Sequence, residues 1–146
     1  MKSEESEKAF KAGFNCAQSV FIPFARDQGL GADIAARIAS SFGAGMGRMQ
    51  ETCGAVTGAL MAIGLDCGFA AGDDQSGKDR ALARTKEFIA AFRSEFGTVL
   101  CKELLNCDLN TDEGRKFHKE SSQRELTCAR CVKFAAAKVE AMAGGR

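Results

Sequence analysis

The chain has no tryptophan, no tyrosine, a single proline (Pro23) and a single histidine (His118). All its aromatic residues are phenylalanine. With one proline, few β-branched residues and much Ala, Lys, Glu and Leu, helices are favoured over sheets. An excess of one charge is also missing. The 20 Lys and Arg residues balance 19 Asp and Glu residues, for a net charge of +1. That balance leaves no electrostatic footprint for nucleic acid or for an anionic membrane. The longest apolar stretch, residues 54–65, is too short to span a bilayer. The start, Met1-Lys2-Ser3-Glu4-Glu5-Ser6, has no apolar leader core. A cytoplasmic location is therefore expected.

What remains is one ordinary domain, residues 1–146, with 45% apolar residues and enough length to bury a core. The conspicuous content is seven cysteines: Cys16, Cys53, Cys67, Cys101, Cys107, Cys128 and Cys131. In a reducing compartment a cysteine cluster points to metal binding or redox chemistry rather than structural disulfides. Taken singly, each cysteine reads as a small core hydrophobe. Seven in one short chain do not.

Glycines and capping residues divide the chain into helices. A short charged helix covers residues 3–11. Asn15 caps a second helix from Cys16 to about residue 28, with Pro23 inside it. Asp33 caps a third, ended by Gly43-Ala44-Gly45-Met46-Gly47. Thr52 caps a fourth, residues 53–65. A polar loop at 72–77 leads into a long amphipathic helix carrying Leu82, Phe88, Ile89, Phe92 and Phe96. Thr98 caps a shorter helix with Cys101, Leu104 and Leu105. Residues 110–124 are polar, hold His118 and allow at most a helical turn. Thr127 caps a last helix, residues 128–142. The expected fold is all-α, a single-domain bundle of about six helices with several cysteines at helix N-termini.

Those helix starts carry the chemistry. Cys16, Cys53 and Cys128 each follow a capping residue, and Cys101 is third after Thr98. Backbone N–H groups are unpaired in a first turn, and the dipole there is positive. A thiolate or an anionic metal–thiolate cluster is favoured at such a place. Gly54, Gly58 and Ala62 recur every four residues and give the fourth helix one nearly bare face. That face lets neighbouring segments approach Cys53, and it serves tight core packing equally well.

The block Cys53-Gly54-Ala55-Val56-Thr57-Gly58 matches a CGAxxG core. Asn15-Cys16-Ala17, Cys101-Lys102-Glu103-Leu104-Leu105 and Cys128-Ala129-Arg130-Cys131-Val132 flank it in order. In these four blocks the chain resembles the C_GCAxxG_C_C family of redox-active proteins over nearly its whole length. The resemblance implies a small helical redox domain with four signature cysteines, Cys16, Cys53, Cys101 and Cys128. Related domains resemble part of the split-Soret cytochromes, which implies cysteine-bound iron–sulfur. Cys67, Cys107 and Cys131 lie outside the signature, so the choice between Cys128 and Cys131 stays open.

Other signals carry less. Cys128-x-x-Cys131 lacks the βαβ surroundings of a thioredoxin-type pair, and Val132 in place of histidine excludes c-type haem attachment. Gly43-x-Gly-x-Gly47 follows no strand, so it reads as a turn that positions the Cys53 helix. Arg48 and Glu51 read as a solvated loop and His118 as a surface residue. Three functions follow in order. The first is electron transfer or redox sensing through an iron–sulfur centre on Cys16, Cys53, Cys101 and Cys128, with a donor or acceptor protein as partner. The second is a metal-free thiol–disulfide oxidoreductase using the same thiols, with Cys131 as resolving thiol. The third is a structural zinc site or helical binding module. A homodimer is compatible with all three.

Overall fold

A computed structural model describes residues 1–143. Among the described residues eight α-helices follow one another: α1 Lys2–Lys11, α2 Cys16–Asp27, α3 Ala32–Ala39, α4 Gly54–Cys67, α5 Gln75–Phe96, α6 Cys101–Leu105, α7 Asp112–Glu120 and α8 Ala129–Ala143. Among the described residues there is no β-strand, and a lone antiparallel bridge pairs Thr52 with Leu100. The all-α expectation holds, with eight helices rather than about six. One unforeseen helix is α7, in the polar segment. Thr111 caps it by accepting the Gly114 N–H at 2.9 Å, and acidic first and basic last turns suit its dipole. Among the described residues no helix is long and apolar enough to cross a membrane.

The core is built on α2, α4, α5 and α8. α4 is apolar on every side and buries Gly54, Ala55, Val56, Gly58, Ala59, Ala62 and Ile63, as befits a central helix. The bare face foreseen in the sequence is real. A Cβ on Gly58 would lie 2.5 Å from the Ala17 carbonyl oxygen, and one on Gly54 would lie 3.0 Å from the Cys16 Cβ. Two glycines thus seat α2 on α4 and bring Cys16 beside the start of α4. Phe88 and Phe92 of α5 are fully buried, and Phe92 and Phe96 meet Phe134 edge-on at 6.0 and 5.4 Å. α1 docks on α8, tied by Glu7 to Lys133 at 3.4 Å and by the Lys2 N–H donated to Glu140.

Three irregular segments interrupt the helices. A 3₁₀ turn, Ser40–Phe42, ends α3. A left-handed turn follows at Gly43–Met46, with φ of 52° at Ala44 and 68° at Met46, and beyond it Arg48 is left-handed too, at 64°. Each non-glycine residue held left-handed costs about 1–2 kcal/mol. Gly45 is required there: its φ is 66°, and a Cβ would lie 2.5 Å from the Gln50 Cα. The third is a π-helical turn, Arg124–Cys128, running directly into α8.

Candidate functional site

Asn15 opens the site. Its side chain accepts the Gln18 N–H at 2.8 Å, while Gln18 accepts the Asn15 N–H at 3.0 Å, a capping box that fixes Cys16 as the first residue of α2. Cys53 is itself the N-cap of α4, one residue after the Thr52 expected in that role. The Thr52–Leu100 bridge sets Cys53 beside Cys101. Cys53 N–H donates to the Val99 carbonyl and Cys101 N–H to the Glu51 carbonyl, both at 2.7 Å. Cys101 is the first residue of α6, which starts from Leu100 rather than from Thr98. Thr98 still acts locally by accepting the Leu100 N–H at 3.1 Å.

Cys128 departs from expectation. The helical run begins before Thr127, so Cys128 closes the π-turn inside a continuous helix and is not at a helix start. A π-turn inserts one residue into a helix and often marks a functional position. Here it presents Cys128 while Cys131, one turn on, is buried.

One cavity of about 340 Å³ gathers these residues. Cys16, Cys53, Cys101, Cys128 and Cys131 all line it, with Arg48, His118 and Arg124. No aspartate or glutamate is in its wall, so its formal charges are positive. The left-handed turn forms one side through Gly43, Ala44, Gly45, Gly47 and Arg48. The glycine segment is therefore a wall of the site as well as a positioning turn. Cys67 and Cys107 do not line it. Cys67 ends α4, where its carbonyl accepts from Arg80 Nε at 3.0 Å. Cys107 donates its thiol to Gln123 Oε1 at 3.5 Å.

The thiols are inequivalent. Cys53 shares a hydrogen bond with Cys131, and Cys128 shares one with Cys16. The bond from Cys131 pulls the Cys53 thiol down against its burial, helped by the N–H groups of Ala55 and Val56. Only the N–H part is the helix-start effect expected from the sequence; Cys16 and Cys101, each first in its helix, are raised instead of lowered. The bond from Cys16 likewise lowers Cys128, helped by Arg124. Cys16 and Cys131 keep their protons and are raised, first by these same bonds and then by burial. Burial and the charge of Cys53 push Cys101 up to about 12.

The chain belongs to the C_GCAxxG_C_C family, described as "putative redox-active protein", which matches residues 14–142. No curated protein and no solved structure matches the chain. Cys16, Cys53, Cys101 and Cys128, the four cysteines that the resemblance picks out, all line one cavity, and Cys131 lines it with them.

Two glutamines escaped the sequence reading. Gln50 is 4% exposed, with φ of 55°. It donates Nε2 to the Cys107 carbonyl at 2.7 Å, accepts the Leu109 N–H at 2.8 Å and lowers Cys101 through a side-chain hydrogen bond. Gln123 joins His118, Cys107 and the Leu105 carbonyl. Nothing local in the sequence marks a buried glutamine as a hub. His118 was read as a surface residue, but it lines the cavity.

Proposed function

We propose that this chain is a redox protein that holds an iron–sulfur centre on Cys16, Cys53, Cys101 and Cys128. One observation carries the reading: thiols from four separate segments line a single cavity of about 340 Å³ that has arginines but no carboxylate in its wall. Thiolates are the usual ligands of such centres, and a positive wall favours an anionic cluster. Among the described residues no three His, Cys, Asp or Glu side chains are disposed to hold one metal ion. When bound, an iron–sulfur centre supplies one-electron chemistry. The chain's own part is to deprotonate the thiols, exclude carboxylates and shield the sulfur with Leu104, Leu105 and Leu109. A donor or acceptor protein is the expected partner.

The test is iron and acid-labile sulfide content after anaerobic preparation. Ser substitution at Cys16, Cys53, Cys101 or Cys128 should abolish or sharply lower both, while Cys67→Ser should leave them unchanged. Unchanged content in all four variants would overturn the assignment.

The pairing of the thiols favours a second reading. Cys53 with Cys131, and Cys128 with Cys16, each join a lowered thiol to a proton-bearing one. That is the arrangement of attacking and resolving thiols. Closing one S–S bond passes two electrons and two protons to an acceptor disulfide, which leaves as two thiols. In the metal-free protein this reading requires iodoacetamide to label Cys53 and Cys128 ahead of Cys16 and Cys131.

A further inference from the structure

We propose that the open apolar side of α4 seats a second copy of this chain, so that the protein is a two-fold dimer joined along α3, α4 and α5. None of the residues that form this face lines the cysteine cavity, so the inference stands apart from the redox reading.

The face starts from a helix without a polar side. Residues 54–65 of α4 include no charged side chain. A helix apolar all round belongs in a core, covered on every side. Here one stripe is uncovered. Thr57, Leu60 and Met61 are half-buried, Gly64 is exposed, and the four recur at helical spacing with exposed Leu65 beside them. A Cβ on Gly64 would meet nothing within 4 Å.

Neighbouring helices widen the stripe. On α3, Ala32, Asp33 and Ala36 face a groove shared with Glu5 and Lys8 of α1. Ile34 and Ile38, one turn apart, are on the opposite flank. On α5, Glu87 reaches Lys138 of α8 at 4.0 Å, so α8 lies on that flank. Leu82 and Ile89 are on the other flank. Phe69 joins them, because Lys78, one turn before Leu82, stands over its ring at 5.9 Å. α3 and α4 both rest on α2, and α5 rests on α4, so these flanks border the open stripe. Ile34, Ile38, Leu65 and Leu82 are between 41% and 55% exposed, far more than large apolar side chains in a covered face.

Chemistry and size name the occupant. A charged partner would find nothing to pair with on α4. A second copy brings an equally uncharged stripe and strands no charge. Both signs stand at the margins, Asp33 and Arg37 on α3 and Lys78 and Asp79 on α5, so the rim also complements its own copy. α4 is about 21 Å long, and packed helix axes lie about 8–10 Å apart. A face three helices wide therefore has the extent of a standard interface, about 800 Å² per copy. A patch that meets itself closes under two-fold symmetry, so association stops at two.

The test is sedimentation equilibrium of the full chain in reductant, which removes any disulfide between chains. The expected mass is twice the 15.5 kDa of one chain. Leu65→Lys and Ile38→Lys each put a charge on the face at a position exposed in the single chain, so the fold should hold, as circular dichroism checks. Each should raise the dimer dissociation constant at least about a hundredfold, the scale of a charge buried without a partner. Leu126→Lys, at an exposed apolar residue of the π-turn outside the face, should leave the dimer intact. Hydrogen exchange needs no variant: residues 57–65 of the wild type should slow as concentration rises through the dimerisation range. A wild type that sediments as one chain at every concentration overturns the proposal, and the stripe then belongs to a different protein. A dimer that persists in both folded lysine variants, that Leu126→Lys disrupts, or that leaves exchange at 57–65 unchanged places the contact elsewhere and overturns it too. Absence of iron and sulfide would sink the redox reading and leave these masses as predicted.

Discussion

At the scale of single residues, proton affinity distinguishes the cavity thiols. Cys101 is pushed from the ordinary 9.0 up to about 12 by burial and by the charge of Cys53. In the fold it stays neutral where an unfolded chain would ionise. Its contribution to stability is whole below pH 9.0 and is lost as pH rises towards about 12. Urea midpoints of the metal-free protein should fall across that window, and less steeply in Cys101→Ala. Cys53 has the opposite sign: its lowered value favours the fold at higher pH, and that contribution fades as pH falls through the lowered value. Cys16 is legible through its Asn15 cap and Cys53 through the CGAxxG block, whereas Cys131 carries no local mark and Cys128 no true cap. The partners that orient the site are not legible. Gln50 and Gln123 act across 57 and 18 residues of sequence, on the carbonyls of Cys107 and Leu105, and no local pattern encodes such reach.

At the scale of elements, the α2–α4 contact governs how close Cys16 and Cys53 stand. Gly58 abuts the Ala17 backbone, while nothing lies within 4 Å of a Cβ added at Gly64. Gly64→Ala should raise stability by about 0.5–1 kcal/mol, the ordinary gain of alanine over glycine in a helix. Gly58→Ala should lower it, because overpacking costs about 1–3 kcal/mol and exceeds that gain. Urea denaturation of the two variants reads the difference. The period-four pattern of Gly54, Gly58 and Ala62 is the local sign of this close packing. The start of the last helix was misplaced for a physical reason. Thr127-Cys128 resembles a cap, but the run starting near Gln123 is continuous, and a π-turn carries no composition cue. From sequence the glycine segment reads as a turn that positions the Cys53 helix and its left-handed course is hidden, since consecutive left-handed residues are costly and Ala44, Met46 and Arg48 give no hint of them.

At the scale of the molecule, the cavity depends on elements far apart in the chain. Phe10 of α1 is 3% exposed, lines the cavity and carries the Arg124 guanidinium 3.8 Å above its ring. Arg124 also donates to the Phe10 carbonyl at 2.7 Å. The family match starts at residue 14, so α1 lies outside it yet closes part of the site. Phe10→Ala should cost about 3–5 kcal/mol, as buried aromatic truncations do, and should loosen Arg124 beside Cys128. Thermal unfolding, with iron content measured in parallel, checks both effects. Fold class was legible because composition and periodicity agree along most of the chain. Convergence of the thiols follows from expecting one centre on four helix starts, but the docking of α2, α4, α6 and the π-turn that brings it about is not legible.

The most direct test of the central claim is the ultraviolet–visible spectrum of anaerobically prepared protein. With no tryptophan or tyrosine, the chain itself absorbs little in the near ultraviolet. Broad bands reaching into the visible, bleached on reduction and absent from Cys53→Ser, are the predicted result. A featureless spectrum from protein that contains neither iron nor sulfide, even after both are supplied under reducing conditions, would contradict it.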